Sequence, residues 1–418
     1  MRITIHRGAH QIGGNCVEVA TDSTRIILDV GLPLPPLDET PRKRGEREID
    51  PVIKAVFDKS PRVDAIFVSH AHQDHTGLLN QTPKEVPIYL GEGTGKMMMV
   101  AGLYAGQDKL PQQRGHPLPD GEPVVIGDIT VTAYPVDHSV FGAQALLVEA
   151  DGKRVLYSGD LRLHGRKPGM APALIKAVHA KGDVDVLLME GTHVGASREL
   201  RLDEDDLKDK ILADILPAPG LVLAMFSPMH LDRLVTFYKA ARSAKRILVL
   251  DHYAGYVLHL VKKLARVPLP TRANGMAVFR PKFQRHYKKT AWRFRGNEIT
   301  LDEILSHPRD YVMLFRPTML GSDFTGKLPT GVRCIYSYWT GYLANADFLA
   351  VRAEVDEAGG KLLEHHTSGH IFAEDIVWFV EAIKPRHVIP IHTSNPNTFS
   401  DRFPNALLLQ DAQPWDIC

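Results

Sequence analysis

The segment Ser69-His70-Ala71-His72-Gln73-Asp74-His75-Thr76-Gly77 packs three imidazoles and a carboxylate into six positions, directly after the apolar run Ala65-Ile66-Phe67-Val68. Two histidines spaced by one residue can point at a single metal ion, while Asp74 and His75 reach a neighbouring one. Imidazole together with carboxylate suits zinc, with manganese as the second choice. More ligands are needed than one loop offers, and they stand at the ends of other apolar runs. His138 follows Val131 to Val136, Asp160 follows Leu156-Tyr157-Ser158-Gly159, and His392 follows Val388-Ile389-Pro390-Ile391. Two divalent ions, typically about 3.5–4 Å apart, polarise a phosphoryl oxygen and supply hydroxide near neutral pH. Asp160 is the candidate carboxylate to bridge them. Asp29, ending Ile26-Ile27-Leu28, is cast as a group that orients ligands through hydrogen bonds.

These residues need a scaffold that brings strand ends together. Cys16 to Val19 and Arg25 to Asp29 flank the turn Thr21-Asp22-Ser23, a hairpin pattern. Two more hairpins are expected around Gly127-Asp128 and Asp151-Gly152. Helices are expected over Val52 to Asp58, Gly95 to Ala105 and Glu199 to Ile215. From there strand and helix alternate through Leu221 to Phe226, Leu231 to Ala244, Arg246 to Leu250 and Tyr253 to Leu264, the pattern of a parallel α/β unit. From Lys361 the earlier style returns, with a helix Ala373 to Ile383 and a strand His387 to Ile391. The reading is one domain made of residues 1–195 and 362–418, interrupted by an inserted domain at 196–361.

Composition narrows the classes. The chain has 418 residues, enough for a large core, and 50 Lys+Arg against 49 Asp+Glu. Affinity for nucleic acid must therefore come from a local patch. Cys16, Cys334 and Cys418 are dispersed, which argues against a disulfide framework and fits a reducing cytoplasm. Met1 to His6 reads as a strand rather than a signal peptide. No run reaches the roughly eighteen apolar residues of a membrane span.

A local patch does exist. Between Tyr253 and Asn297 there are eleven Lys and Arg and no Asp or Glu. Arg280, Lys282, Arg285, Lys288, Lys289, Arg293 and Arg295 are the candidate nucleic-acid contacts. The cations would neutralise phosphates, and aromatics among them could stack on unpaired bases.

The ordered series Asp29, His70-x-His72-x-Asp74-His75, His138 and Asp160 resembles the metallo-β-lactamase fold hydrolases. Glu190 in Met189-Glu190-Gly191-Thr192, His370 in Thr367-Ser368-Gly369-His370, and His392 are similar to later motifs of the β-CASP nucleases, and most of all to the RNase J type. The resemblance covers nearly the whole chain and implies an αββα metallo-β-lactamase sandwich, class α/β, with an inserted α/β β-CASP cap. By that similarity His70, His72 and His138 hold one Zn2+, Asp74, His75 and His392 hold the other, and Asp160 is shared. Mn2+ is the alternative metal. His370, oriented by Glu190, would donate a proton to the leaving oxygen. Ser368 and Gly369, with His366, would hold a substrate phosphate. Three departures stand out: Thr393-Ser394-Asn395 follows His392 where the family has Gly-Glu, the further domain that helps RNase J proteins dimerise is not part of residues 1–418, and the long loop Pro33 to Pro51 and the content of Arg272 to Arg295 are not typical.

The expected function is thus a cytoplasmic dinuclear metal-dependent ribonuclease, endo or 5′ exo, acting on single-stranded RNA, with a homodimer as the implied assembly. The alternatives are a DNA nuclease of the Artemis type and another hydrolase on the same fold. A non-catalytic RNA-binding subunit is disfavoured, because the ligand series is complete.

Overall fold

The computed structural model describes residues 1–34, 48–110, 112–195, 201–282 and 290–418. Two compact units emerge. The first comprises Met1–Pro35, Thr40–Glu199 and Gly369–Cys418, and the second comprises Leu200–Ser368.

The first unit is built on two sheets. Among the described residues one has seven strands, in the order Pro414–Asp416, Arg2–Arg7, Cys16–Ala20, Arg25–Leu28, Ala65–Val68, Ile88–Leu90 and Gly115–Pro117. The other has six, in the order His387–Ile391, Val186–Glu190, Lys153–Tyr157, Gln144–Ala150, Ile129–Pro135 and Pro123–Ile126. The three expected hairpins form, each antiparallel. The two-residue period of a strand decides what each face meets. Val186 and Leu188 join Ile3, Ile5, Val17, Val19 and Phe67 in a core shared by both sheets. Leu187 and Met189 of the same strand face the other way. They pack with Leu174 and Val178 of the helix Met170–Lys181 and with Ile376 and Phe379 of the helix Ala373–Ile383. Each such side chain, taken fully out of water, contributes about 1.5–3 kcal/mol. The outcome is a sandwich of sheets with helices outside, class α/β.

The second unit carries a sheet with seven strands among the described residues, in the order Glu298–Ile299, Met276–Phe279, Ile247–Leu250, Tyr311–Leu314, Val222–Met225, Arg333–Tyr336 and Lys361–Glu364. Every pairing in it is parallel. The central strands are buried on both faces, which explains their unbroken apolar runs. The helices Leu231–Ser243, His252–Val261 and Ala346–Glu357 supply crossovers, and Glu204–Ile215 precedes the sheet's first strand in the chain.

Two expectations need correction. Lys361–Glu364 is no return to the first domain: it pairs in parallel with Arg333–Tyr336, and the change of unit falls at Gly369 rather than 362. The acidic helix starts at Glu204, because the Asp203 carboxylate accepts from the N–H groups of Asp205 and Asp206 and closes a capping box. Glu199 itself lies outside the described residues, as does 196, the expected start of the insertion. The helix Met170–Lys181 escaped notice, its Pro172 being tolerated because it falls in the first turn. Among the described residues no helix is long and apolar enough to cross a membrane.

Candidate metal centre

The carboxyl ends of the first unit's strands deliver the chemical groups. The strand Ala65–Val68 stops at Ser69, and the short helix Gln73–Thr76 begins with His72 at its cap, so one turn presents His70, His72, Asp74 and His75 together. Asp160 follows Lys153–Tyr157 through Gly159, whose φ of 55° suits glycine. His138 follows Ile129–Pro135, Glu190 ends Val186–Glu190, and His392 follows His387–Ile391. Asp29 and His392 both adopt left-handed backbone, at φ 59° and 53°. Each costs about 1 kcal/mol or more for a non-glycine residue. Gly31 has no room for anything larger, since a Cβ there would lie 1.7 Å from the Asp74 carbonyl oxygen.

Asp160 is the hub. Its Oδ2 lies 3.1 Å from Nε2 of His75, 3.5 Å from Nε2 of His70, 3.7 Å from Nε2 of His392 and 3.9 Å from Nε2 of His138. Nδ1 of His370 is 3.8 Å away. Asp74 Oδ2 lies 3.2 Å from His392 Nε2 and 3.9 Å from His75 Nε2. His72 Nδ1 stands 3.1 Å from His138 Nε2. Three overlapping groups, each with donor atoms within 4.8 Å of one another, result: His70, His72, His138, Asp160; Asp74, His75, Asp160, His392; and Asp160, Glu190, His370, His392.

Hydrogen bonds on the far side of the rings turn the coordinating nitrogens inward. His75 Nδ1 donates to Asp29 at 2.7 Å, and His138 Nδ1 donates to the Gly369 carbonyl at 2.6 Å. His392 Nδ1 lies 3.0 Å from the Thr192 hydroxyl. Asp29 is fully buried, and it also accepts from the Ser69 N–H, the Ser69 hydroxyl and the Tyr157 hydroxyl, each at 2.7 Å. The orienting part read for Asp29 in the sequence therefore has four partners. Burial, reinforced by neighbouring imidazoles, holds His70 and His138 well below the usual histidine range, and burial brings His72 down to about 4. Near neutral pH these rings are uncharged and offer lone pairs.

The arrangement fits a cation. His70 Nε2, His75 Nε2 and both oxygens of Asp160 are buried without a hydrogen-bond partner. Such groups cost on the order of 1–3 kcal/mol each unless something satisfies them, and bound divalent cations would do so. This is a metal-binding site by the chemistry of its donors.

Beside it stands a second dyad. His370 Nδ1 lies 3.1 Å from Glu190 Oε2, and Glu190 Oε1 accepts from the Leu161 N–H at 3.0 Å. Burial opposes charge on His370, but Glu190 and Asp160 outweigh it and push the imidazole up to about 9. The Thr192 hydroxyl joins the groups, 2.9 Å from Glu190 Oε2 and 3.1 Å from His370 Nδ1. Thr192 and Tyr157 have no part in the sequence reading. Tyr157 meets Asp29 and Thr192 meets His370 and His392, all more than a hundred residues away, and no local signal marks them.

The remaining expected site residues divide between the two units. Gly369 belongs to the first unit, where a Cβ would come 2.6 Å from the Ser139 hydroxyl. Ser368, buried, and His366, with Nδ1 3.3 Å from the Ser337 carbonyl, belong to the second. Arg280, Lys282 and Arg295 are exposed on the second unit and Arg293 is half-buried. Arg285, Lys288 and Lys289 lie outside the described residues.

Comparison with known proteins agrees with this geometry. Residues 37–253 match the family model described as "Beta-lactamase superfamily domain", and residues 364–399 match "Zn-dependent metallo-hydrolase RNA specificity domain". An RNase J-like protein of Methanocaldococcus jannaschii is 28% identical over 51% of this chain and 47% of its own length. The Probable RNase MJ4 of the same organism is 24% identical over 69% of this chain and 62% of its own. Ribonuclease J of Helicobacter pylori is 20% identical over 94% of this chain and 56% of its own. The chain thus spans about half the length of these relatives. Among solved structures, a protein of unknown function from Enterococcus faecalis V583 superposes with a TM-score of 0.81 at 21% identity, covering 99% of both chains, a likeness of fold. The chain belongs to the β-lactamase superfamily, and over most of its length it is similar to the RNase J proteins.

Proposed function

We propose that this protein is a metal-dependent nuclease that hydrolyses phosphodiester bonds of single-stranded RNA. The observation that carries the reading is the convergence of four Nε2 atoms, from His70, His75, His138 and His392, within 3.9 Å of one oxygen of Asp160. His70, His72 and His138 would hold one zinc ion and Asp74, His75 and His392 the other, with Asp160 shared. When bound, such a pair supplies Lewis acidity toward a phosphoryl oxygen and activates water near neutral pH.

The chain's own groups do the rest. Asp29 and the Gly369 carbonyl fix two rings so that their Nε2 atoms face inward. Asp74 carries a second, catalytic duty beside ligation, as a carboxylate poised to receive a proton from the attacking water. Glu190 holds His370 at 3.1 Å, so His370 keeps the proton that the leaving oxygen requires. Ser368 and Gly369, with His366, are read as donors to a substrate phosphate. Arg280, Lys282, Arg293 and Arg295 are read as backbone contacts, together with Arg285, Lys288 and Lys289. A cytoplasmic setting and a homodimer belong to the same reading, the latter checked by light scattering.

The test is a time course on matched end-labelled RNA and DNA strands carrying either a 5′ phosphate or a 5′ hydroxyl. RNA should be cut in a zinc- or manganese-dependent manner and DNA spared. Equal or faster cutting of DNA would move the protein to the DNA-nuclease class. Hydrolysis of small esters alone would reject a nuclease.

A further inference from the structure

Outside the metal centre, the second unit carries a stack of flat groups on one surface. The short turn Ala291–Phe294 is pinned by Phe294, which is buried and meets the His252 ring edge-on at 5.2 Å. That anchor leaves Trp292 57% exposed. The Arg293 guanidinium lies 4.2 Å from the centre of the Trp292 ring and 5.6 Å from that of Tyr256. Arg293 Nη1 is also 2.7 Å from His259 Nε2, and the rings of Tyr256 and His259, one helical turn apart on His252–Val261, stand 6.0 Å apart and only 7° from parallel. Four planar groups are therefore in contact in series.

The stretch of chain that carries this stack has one sign of charge. Lys262, Lys263 and Arg295 are exposed, and residues 253–297 contain eleven Lys and Arg and no Asp or Glu. The partner such a surface fits is a polyanion that also presents flat faces. We propose that Trp292, backed by Arg293, is a stacking platform for an unpaired base of single-stranded RNA, with Lys262, Lys263 and Arg295 neutralising the adjoining phosphates. The choice of RNA rests on the nuclease reading above. The Arg293 guanidinium already lies against the Trp292 ring, so less conformational freedom is lost when a base docks. Trp339 makes a contrast within the same unit. It is 45% exposed and meets Tyr342 edge-on, yet residues 338–351 hold one Asp and no Lys or Arg.

The experiment measures binding of the full chain to a labelled 2′-O-methyl RNA 12-mer, which resists cleavage, and to an abasic oligomer of equal charge. Trp292→Leu should weaken the base-bearing strand roughly tenfold while leaving the abasic strand and the salt dependence unchanged. Trp292→Phe should retain most of the affinity, and Trp339→Leu should match wild type. The proposal is overturned if Trp292→Leu binds the 12-mer as tightly as wild type, or loses the abasic strand equally. It is also overturned if Trp339→Leu loses as much, or if a labelled acidic peptide binds in a Trp292-dependent way and the RNA 12-mer does not. Cleavage of unmodified RNA by wild type, followed separately, reports on the nuclease reading: Trp292-dependent binding without cleavage would sink that reading and leave this one standing.

Discussion

Nδ1 of His75 and Oδ2 of Asp29 lie 2.7 Å apart, both fully buried, and the same oxygen accepts from the Tyr157 hydroxyl at an equal distance. The nitrogen on the other side of the His75 ring is the one that faces Asp160. Asp29→Asn keeps the shape but turns one acceptor into a donor facing hydrogens already there. Zinc affinity, measured by chelator competition, should fall about 10–100-fold. Tyr157→Phe should cost only a few-fold, since three donors to Asp29 remain. Wild-type affinity in Asp29→Asn would contradict the part given to this carboxylate.

His370 and Glu190 are read as a proton-donating pair, although His370 Nδ1 is also within 3.8 Å of Asp160. His370→Ala should therefore keep the full metal content, by elemental analysis, while single-turnover RNA cleavage falls about 10²–10⁴-fold. Loss of one metal equivalent in this variant would make His370 a ligand instead.

Close approach of backbone, rather than a special φ, demands glycine at Gly31. A methyl group there would sit 1.7 Å from the Asp74 carbonyl oxygen, and neither chain segment can yield without moving the His-rich turn. Gly31→Ala should lower stability to urea by about 3 kcal/mol or more. Gly106→Ala meets nothing within 4 Å, though its φ is 67°, and should cost only about 1 kcal/mol. Equal costs for the two would contradict this geometry.

Glu18 links stability to pH away from the metal. Burial favours its neutral form, but hydrogen bonds from His6 at 3.0 Å and Arg25 at 2.6 Å outweigh that and hold the carboxyl at about 2, against 4.5 in a free chain. A depressed carboxyl stabilises the fold fully above about pH 4.5 and loses that contribution as pH falls toward 2. The gap in unfolding free energy between wild type and Glu18→Gln should thus be about 3 kcal/mol near neutrality and shrink steadily below pH 4.5. A gap independent of pH would show that the charge on Glu18 is not what matters.

Much of the site was legible because its signals are local. His70, His72, Asp74 and His75 share one turn, and Asp160, Glu190 and His392 each end or follow an apolar run that had to be a strand. What stayed hidden depends on partners brought in by folding. Thr192 meets His370 and His392, 178 and 200 residues ahead, and nothing in Gly191-Thr192-His193 announces it. Lys361–Glu364 reads like any amphipathic strand, and only its pairing with Arg333–Tyr336 assigns it to the second sheet. Asp29 was legible as a turn residue. Its four hydrogen bonds were not, because they come from Ser69, His75 and Tyr157 on other elements.

The proposed nuclease needs Asp160 to be shared by two divalent cations. Protein purified without chelator and crystallised, with diffraction measured across the zinc absorption edge, should give two anomalous peaks per chain, one among His70, His72 and His138 and one among Asp74, His75 and His392, both within bonding distance of the Asp160 carboxylate. A single peak, none, or two that leave Asp160 untouched would rule the shared carboxylate out.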